Sequence, residues 1–467
     1  MVRILLLFLF ITTVHNCLGQ FPTINSFGDS SNERAMGVVE LESGSVFLVG
    51  SYAPSTNLSQ VTLIKTTSQG LPDTTFYLSD SSISFPKAFT VKDNLFYITF
   101  ETHRGAESVL PTLLVVDTLG NILLEKKYEG AQTKVFSSIR PTLDGNFIIT
   151  GFTSGTFGSG NDYLIAKTNP QGEILWERTY GSNLNDVATD GMQINPNLFI
   201  VTADNKKPDH SYDVNVVGVD SLGYIRWERK LENEYNSGCQ KMELSDDGHI
   251  YIVGETSTDS SAYFDVYLIK MDTTGNLIWE KSIPESDQGD AGFIIKQVNE
   301  GKFIITGYSY NPANETTDAF ATFVNAEGEL IEKRFYDVGL IDIGYGLSLS
   351  KKGGFFISGF GKNGDTDDYL LVFDTLSDIS FTTIKNKPYP RINLFPNPSS
   401  GNVNFQNIWG QNSVISIRDI KGVLLQEMLL EGVEQINLSS FSNGVYFIEI
   451  KQNGHTVATE KLVIIHE

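Results

Sequence analysis

Two periodic markers in this sequence predict an all-β fold built from seven alike modules. The first is a turn glycine that recurs every 50 to 53 residues, at Gly70, Gly120, Gly172, Gly223, Gly275 and Gly328. The second is a short apolar run, such as NFIITG from Asn146 and KFIITG from Lys302, which occurs seven times in phase with the first. Such a period is typical of folds in which each repeat is one small sheet. We therefore predict a seven-bladed β-propeller of ~51-residue four-stranded repeats followed by a small antiparallel β-sandwich.

Each repeat is predicted to contain four antiparallel strands, named A to D in chain order. In the fifth repeat, strand A covers residues 239–244, strand B begins at Ile250, strand C is DVYLIKM from Asp265 and strand D is LIWEKSI from Leu277. Alternating apolar residues and a high content of β-branched and aromatic side chains favour strands here. Glycine-containing turns supply the positive φ that tight hairpins need.

The ten residues DTTGNLIWEK, from Asp272, have close counterparts in other repeats and form the predicted C–D hairpin. Its glycine suits the turn, and the aliphatic residues suit the layer between blades. We expect Trp176, Trp227 and Trp279 to pack against the neighbouring blade.

A propeller must close its ring, because open strand edges recruit other chains. The stretch that begins at Phe21 matches a strand D followed by the next strand A, with no strands A to C before it. We predict that this strand completes the seventh blade, whose own strands A to C lie between Gly344 and Asp374. The segment ISFTTIK, residues 379–385, competes for the same edge.

The domain organisation follows from composition along the chain. Residues 1–19 have one positive residue and an apolar run, which indicates a secretory signal peptide; a lipoprotein start at Cys17 is the alternative. Residues 20–385 form the predicted propeller, the proline-rich residues 386–390 a linker, and residues 391–467 the sandwich. After signal removal no apolar run is long enough to span a bilayer. We expect an exported monomer.

The formal net charge is −22, and nearly all of it lies on residues 20–390. Such a surface repels nucleic acid, so cations, cationic polymers or neutral glycans are the expected partners, unless the charge serves solubility alone. The mature chain keeps one cysteine, Cys239, which cannot form an internal disulfide and is expected to be a buried filler.

The sequence contains none of the metal-protease, nucleotide-binding or hydrolase motifs that identify an enzyme. Its recurring acids are aspartates near the start of strand C in five of the seven repeats, namely Asp162, Asp213, Asp265, Asp318 and Asp368. Loop hydrogen bonding accounts for them in the simplest interpretation. We expect no cofactor except, as an alternative, Ca²⁺ held by single loops around Asp162, Asp365 and Asp368.

The two faces of the propeller are expected to differ. The B–C and D–A loops are long and variable and define the long-loop face, whereas the A–B and C–D turns define the tight-turn face. Variable loops on a rigid scaffold favour binding, so we predict a module that recognises a glycan or protein there, with Phe157, Tyr308 or Tyr310 as stacking candidates. The alternative is a polysaccharide lyase or glycoside hydrolase that uses paired carboxylates, although the acids expected on inner strands, Glu40, Glu42 and Glu243, are not obviously paired.

The tight-turn face carries a further pattern. DTL at Asp117, DSL at Asp220, DTT at Asp272 and DTL at Asp374 resemble the Asp-Ser/Thr-apolar O-glycosylation sequon of exported Bacteroidota proteins. This resemblance implies glycans on Thr118, Ser221, Thr273 and Thr375. The turn preference of Asp-Thr explains the same pattern without modification.

The last 77 residues include LFPNPSSG from Leu394, a D-x-x-G turn from Asp419, INLSSFSNGVYFIEI from Ile436 and the ending EKLVII. In this order they resemble the type A C-terminal sorting domain of the type IX secretion system. The matching residues are Pro396, Asn397, Pro398, Gly401, Asp419, Gly422, Gly444, Tyr446 and Lys461. The resemblance implies a source in the Bacteroidota, engagement of the type IX machinery, and a mature protein that is released or attached to the cell surface.

Two points qualify that comparison. The ending has one basic residue fewer than many members of the family, and an ordinary carbohydrate-binding sandwich is the alternative for this domain. The repeats before it are similar to those of secreted bacterial repeat propellers, a resemblance that implies a fold and no particular activity.

Overall fold

The structure is a computed structural model in which all regular elements of the described residues are β-strands. It describes residues 22–56, 58–67, 69–79, 83–103, 109–130, 132–155, 160–257, 263–283, 289–299, 301–311, 315–364, 366–376, 393–395, 397, 399–406, 413–419, 424–429, 435–452 and 455–466. The chain divides into two compact units, Met1–Thr383 and Ile384–Glu467. Among the described residues, none lies in a helix long and apolar enough to cross a bilayer.

The first unit contains seven four-stranded antiparallel blades within its described residues, which confirms the predicted fold. Blade 1 consists of β2 (Asn32–Glu40), β3 (Val46–Ser55), β4 (Leu58–Thr66) and β5 (Pro72–Tyr77). Blade 2 consists of β6 (Ile83–Lys92), β7 (Leu95–His103), β8 (Val109–Val116) and β9 (Ile122–Lys127). Blade 3 consists of β10 (Lys134–Pro141), β11 (Phe147–Ser154), β12 (Asn161–Thr168) and β13 (Ile174–Tyr180). Blade 4 consists of β14 (Asp186–Asn195), β15 (Leu198–Lys206), β16 (Tyr212–Val219) and β17 (Ile225–Leu231). Blade 5 consists of β18 (Ser237–Leu244), β19 (Ile250–Thr256), β20 (Asp265–Met271) and β21 (Leu277–Ile283). Blade 6 consists of β22 (Asp290–Asn299), β23 (Lys302–Asn311), β24 (Thr316–Asn325) and β25 (Leu330–Tyr336). Blade 7 consists of β26 (Ile341–Ser350), β27 (Gly354–Asn363), β28 (Thr366–Thr375) and the N-terminal strand β1 (Thr23–Phe27).

The N-terminal strand β1 closes the ring, as the sequence predicts. It runs antiparallel to β28, with Thr23 opposite Phe373 and Phe27 opposite Tyr369. Blade 7 then packs on blade 1 through a shared cluster that includes Leu48 and Leu371. The chain therefore joins its first and last blades by strand pairing as well as by side-chain packing, whereas the competing segment 379–385 lies outside the described residues.

The recurrence of tryptophan and glycine in the C–D hairpins has a packing explanation. A Cβ placed on Gly275, whose φ is +90°, would lie 2.6 Å from Cε3 of Trp227 on the preceding blade. Trp176 contacts Gly223 and Trp279 contacts Gly328 in the same way. The turn glycine of one blade thus receives the indole of the blade before it, and the predicted blade-to-blade role of these tryptophans is confirmed.

The single mature cysteine also lies where the sequence places it. Cys239 is fully buried on β18, the innermost strand of blade 5. Its backbone N–H donates to Asp204, and the burial of the thiol keeps its pKa well above the usual value. The residue is a buried filler with no reactive thiolate at neutral pH.

The second unit contains two antiparallel sheets, as predicted. The strands of the first sheet are β29 (Asn393–Phe395), β30 (Asn402–Gln406) and β33 (Gln435–Asn437), and those of the second are β32 (Leu424–Leu429), β31 (Ser413–Asp419), β34 (Gly444–Gln452) and β35 (His455–Ile464). Buried side chains from both sheets, among them Val403, Ile417 and Ile448, form one core. This is a small sandwich with alternating inward and outward residues.

Candidate functional site

Every innermost strand of the propeller carries a β-bulge at the same position. In β2, for example, the ladder register shifts between Ala35 and Gly37, which leaves Met36 unpaired. The seven bulged residues are Met36, Lys87, Ser137, Thr189, Gln240, Phe293 and Tyr345. A bulge bends its strand and re-aims one side chain. We call these seven residues the bulge ring.

The bulge ring lines a cavity of about 600 Å³ on the propeller axis. All seven innermost strands contribute to its wall, and each contributes its bulged residue. Six of the seven are half-buried and Lys87 is exposed. The fold therefore brings together one residue from each repeat, at positions where the repeats differ from one another.

One side of the cavity is aromatic. On blades 6 and 7 the rings of Phe293 and Tyr345 stack, with centroids 5.4 Å apart and planes at 16°. Phe293 also contacts Tyr308, and Tyr345 contacts Phe360. The guanidinium of Arg34 lies 4.5 Å above the Phe360 ring. Burial raises the pKa of Tyr308 and of Tyr345, so both remain neutral phenols at physiological pH. Phe293 and Tyr345 line the cavity, and Tyr308 and Phe360 contact these two rings without lining it. We call the four residues the aromatic arc.

The opposite side of the cavity, on blades 3 to 5, is polar. The Thr189 hydroxyl lies within hydrogen-bonding distance of the Thr202 hydroxyl, and the Thr189 carbonyl accepts a hydrogen bond from Lys241 Nζ. Within the described part of the chain, neither the Ser137 hydroxyl nor the Gln240 amide has a hydrogen-bonding partner. These two groups are available to a ligand.

The four basic side chains of the cavity wall lie beside three acids. Lys87 Nζ lies 2.9 Å from Glu101, and Lys296 Nζ lies 3.0 Å from Glu243. The remaining two, Arg140 and Lys241, share a single aspartate. The wall is therefore polar but close to charge-neutral, in contrast with the acidic protein as a whole.

That shared aspartate, Asp190, links three blades. It is fully buried on blade 4 and pairs with Arg140 of blade 3, whose Nε donates to Oδ1 at 3.1 Å. The Ser138 hydroxyl of blade 3 and the Met242 N–H of blade 5 donate to it at 2.6 and 3.1 Å. Burial opposes ionisation of Asp190, but attraction to Arg140 and Lys241 prevails and holds its pKa below the usual value. This network fixes the spacing of the cavity wall.

The acids considered for glycosidic chemistry do not form a pair. Glu40 accepts the Lys351 N–H at 2.9 Å, and Glu42 contacts the Lys351 ammonium at 2.6 Å. Both lie at the tight-turn end of blade 1, while Glu243 lies on blade 5 beside Lys296. Glu42 is in the A–B turn, not on an inner strand, because Leu41 already begins the hairpin by bonding to Ser45.

The strand C aspartates accept local hydrogen bonds, as the simpler interpretation predicts. The Asp213 carboxylate accepts the Asn233 N–H, and Asp265 accepts the Ser282 hydroxyl. Several also meet an acid from strand A of the next blade, which the sequence analysis did not anticipate. We call such a meeting place a seam. Repulsion from Asp162 is among the causes that raise the pKa of Asp186, after burial itself.

The three metal candidates have different outcomes. Asp365 lies outside the described residues. Asp162 is buried at the seam of blades 3 and 4, and Asp368 lies at the seam of blades 7 and 1, near Glu33. Burial, with repulsion from Asp29 and Asp368, raises the pKa of Glu33 to about 7. Calcium binding by single loops at these positions stays a prediction.

The proposed glycosylation positions Thr118, Ser221, Thr273 and Thr375 lie at C–D turns or at the strand ends beside them. In three of these turns the preceding aspartate accepts two backbone N–H groups of its own turn, as Asp272 does from Thr274 and Asn276. Turn formation thus explains the aspartate, and modification stays a prediction.

The residues matched to the sorting motif are spread over the sandwich. Pro396, Pro398 and Gly422 lie outside the described residues, and of Asp419 and Lys461 only the strand pairing is described, opposite Tyr446 and Phe447. Asn397 accepts the Val463 N–H at 2.9 Å, and Gly401 has a φ of +136°. Gly444 begins β34, and the Tyr446 hydroxyl donates to the Ser442 carbonyl at 2.8 Å. Their individual roles in export stay predictions.

The bulge ring was missed by the sequence analysis, although its positions recur at spacings of 50 to 53 residues. Each follows one or two small or buried residues near the middle of strand A, as in GCQK around Gln240 and GFII around Phe293. Comparing the repeats for the position that varies most between fixed neighbours would have identified it.

Comparison with known protein families identifies the tail. Residues 393–465 match the family described as "Secretion system C-terminal sorting domain". The C-terminal unit is therefore a type IX secretion sorting domain, as the sequence motifs predict. The protein is exported by the type IX secretion system to the cell surface or the medium. No curated protein matches the chain.

Several solved structures resemble the chain at low identity. They include the phage phi92 endosialidase, with a TM-score of 0.44 and 10% identity over 95% of this chain and 87% of that one. The β-propeller domain of the Trilobed protease from Pyrococcus furiosus matches with a TM-score of 0.43 and 13% identity, over 76% of this chain and 96% of that one. Prolyl oligopeptidase B from Galerina marginata matches with a TM-score of 0.46 and 12% identity over 90% of this chain. This chain spans 56% of that protein's length.

Proposed function

We propose that the exported propeller is a binding module that recognises a neutral glycan in its axial cavity through the bulge ring. The observation that supports this most is that the cavity wall has the stacked rings of Phe293 and Tyr345 on one side and hydrogen-bonding groups across the axis. Sugar rings present apolar C–H faces and a rim of hydroxyl groups, so they fit a site with both properties.

Charge in the cavity favours a neutral ligand over an acidic one. Lys87 and Lys296 are each paired with a glutamate, and Arg140 and Lys241 share Asp190. An anionic ligand would have to compete with these carboxylates for the same cations. A neutral, hydroxyl-rich ligand gains hydrogen bonds with Ser137 and Gln240 without breaking any of the ion pairs.

The aromatic arc is preorganised for stacking. Phe293 is held between Tyr308 and Tyr345, and Tyr345 is held in turn by Phe360. Side chains that are already fixed lose little conformational freedom on binding, so more of the contact energy appears as affinity. The bulged residue Phe293 is the fourth residue of β22, which starts at the long-loop face. A ligand therefore reaches the arc from the long-loop face.

The test uses the full exported chain on a glycan array, followed by calorimetry with the best neutral oligosaccharide. The variants Tyr345→Ala and Phe293→Ala should each bind about tenfold more weakly, since loss of a stacking ring is worth about 1.4 kcal/mol. Tyr263→Ala is the control, because Tyr263 is 53% exposed and lies outside the cavity.

Unchanged affinity in both cavity variants, or a loss confined to Tyr263→Ala, would place the ligand on the loops and overturn the proposal. A reducing-sugar assay on the same oligosaccharide tests the enzyme alternative. We expect binding without turnover.

A further inference from the structure

We propose a calcium site at the seam of blades 6 and 7, formed by Asp318, Asp337 and Asp342. One oxygen from each carboxylate lies within 4.8 Å of the other two. Calcium binds oxygens at about 2.3–2.6 Å, so two ligands on opposite sides of one ion are about 5 Å apart. Calcium also accepts irregular arrangements of oxygen ligands, whereas magnesium demands near-octahedral geometry.

The hydrogen bonds of this cluster leave one oxygen for a ligand. Asp318 and Asp342 are both fully buried. Asp342 accepts the Val338 and Gly339 N–H groups through Oδ2, at 2.9 and 3.1 Å. Its second oxygen, Oδ1, is buried and has no hydrogen-bonding partner. A buried carboxylate oxygen without a donor is costly, and a bound cation would remove that cost.

No protein cation takes that place. Within the described residues, neither Asp318 nor Asp342 forms an ion pair with a lysine or arginine. Instead, Asp318 accepts the Asn311 amide at 2.6 Å and the Thr316 hydroxyl at 2.7 Å, which orient its carboxylate. Burial, together with repulsion from Asp318 and Asp337, raises the pKa of Asp342 to about 6. Three acids therefore meet with no basic partner for the two that are buried.

The position of Asp337 distinguishes this seam from two others. Asp337 lies five residues before Asp342, at the position held by Gly181 before Asp186 and by Gly28 before Glu33. A Cβ on Gly181 would lie 2.3 Å from Asp162 Oδ1, so this position faces the strand C aspartate. The seam of blades 6 and 7 therefore has an acid at the position where the other two seams have a glycine.

The repeats themselves supply the test variants. Asp337→Gly restores the glycine of the other seams, and since neither Gly28 nor Gly181 has a positive φ, the backbone conformation suits both residues. Asp342→Asn removes the oxygen that has no donor. Asp213→Asn, at the start of strand C of blade 4, is the control, because Asp213 already pairs with Lys207 at 3.0 Å.

The measurement is calorimetric titration of the full chain with calcium chloride after removal of bound ions with EDTA, and magnesium chloride is titrated for comparison. We expect one calcium per chain, at least about tenfold weaker binding in Asp337→Gly and Asp342→Asn, and unchanged binding in Asp213→Asn. If Asp342→Asn fails to fold, Asp337→Gly alone decides. The absence of one-to-one calcium binding, wild-type affinity in Asp337→Gly, or an equal loss in Asp213→Asn would overturn the proposal.

Discussion

Asp190 provides the most direct measure of how the cavity wall is held together. It is fully buried and connects β10, β14 and β18 by accepting from Arg140, Ser138 and the Met242 N–H. In Asp190→Asn the side chain keeps its shape but loses its charge, and an amide group replaces one acceptor oxygen. Arg140 and Lys241 are then left without a counter-ion.

The expected loss of stability follows from the burial of the pair. Breaking a buried ion pair by removing one partner costs about 3–5 kcal/mol. The Arg140 side chain is 23% exposed, so water partly compensates its charge, and we expect a value near 3 kcal/mol. The control is Asp144→Asn, which removes a pair with Lys167 at an aspartate that is 49% exposed. That change should cost at most about 1 kcal/mol.

Urea unfolding followed by tryptophan fluorescence measures both values, since Trp176, Trp227 and Trp279 all lie between blades. The pH dependence gives an independent check. Because the pKa of Asp190 is lower in the folded state, its contribution is present above the unfolded pKa of about 3.9 and is lost as pH falls through the folded value. The difference between wild type and Asp190→Asn should therefore be constant above about pH 5 and shrink below about pH 4. A loss in Asp190→Asn no larger than in Asp144→Asn would refute this account of the cavity wall.

Two further predictions concern the ring itself. Gly275→Ala should lower the free energy of unfolding by about 3 kcal/mol, because it combines an unfavourable positive φ with a contact to Trp227. The control Gly248→Ala has a similar φ and no atom within 4 Å, so it should lower the free energy of unfolding by about 1 kcal/mol. Equal losses in urea unfolding would contradict the packing explanation. Removal of residues 23–27 should expose the edge of β28, lower the melting temperature and cause self-association. Light scattering that shows an equally stable monomer would mean that β1 does not close the ring.

The strands and turns could be predicted because the same sequence pattern recurs from repeat to repeat. The glycine of the C–D turn recurs in six copies and the run of strand B in all seven, so weak local signals combine into one strong one. Closure by β1 was predictable for the same reason, since its sequence matches a strand D followed by a strand A.

The bulge ring and the seams could not be read in the same way. A bulge is a property of strand pairing, and the sequence around Phe293 or Tyr345 continues the apolar alternation without a visible break. The seam acids come from different blades, as Asp318 and Asp342 do, and are separated along the chain by the whole of strand D. Their proximity depends on how blades pack, which local propensity does not describe.

The most direct test of the proposed function is a crystal structure of the full chain with the neutral oligosaccharide that binds best on the array. We predict electron density for the sugar inside the axial cavity, with one ring stacked against Phe293 or Tyr345 and hydroxyl groups within hydrogen-bonding distance of Ser137 or Gln240. Density on the outer loops with an empty cavity would contradict the bulge ring as the binding site.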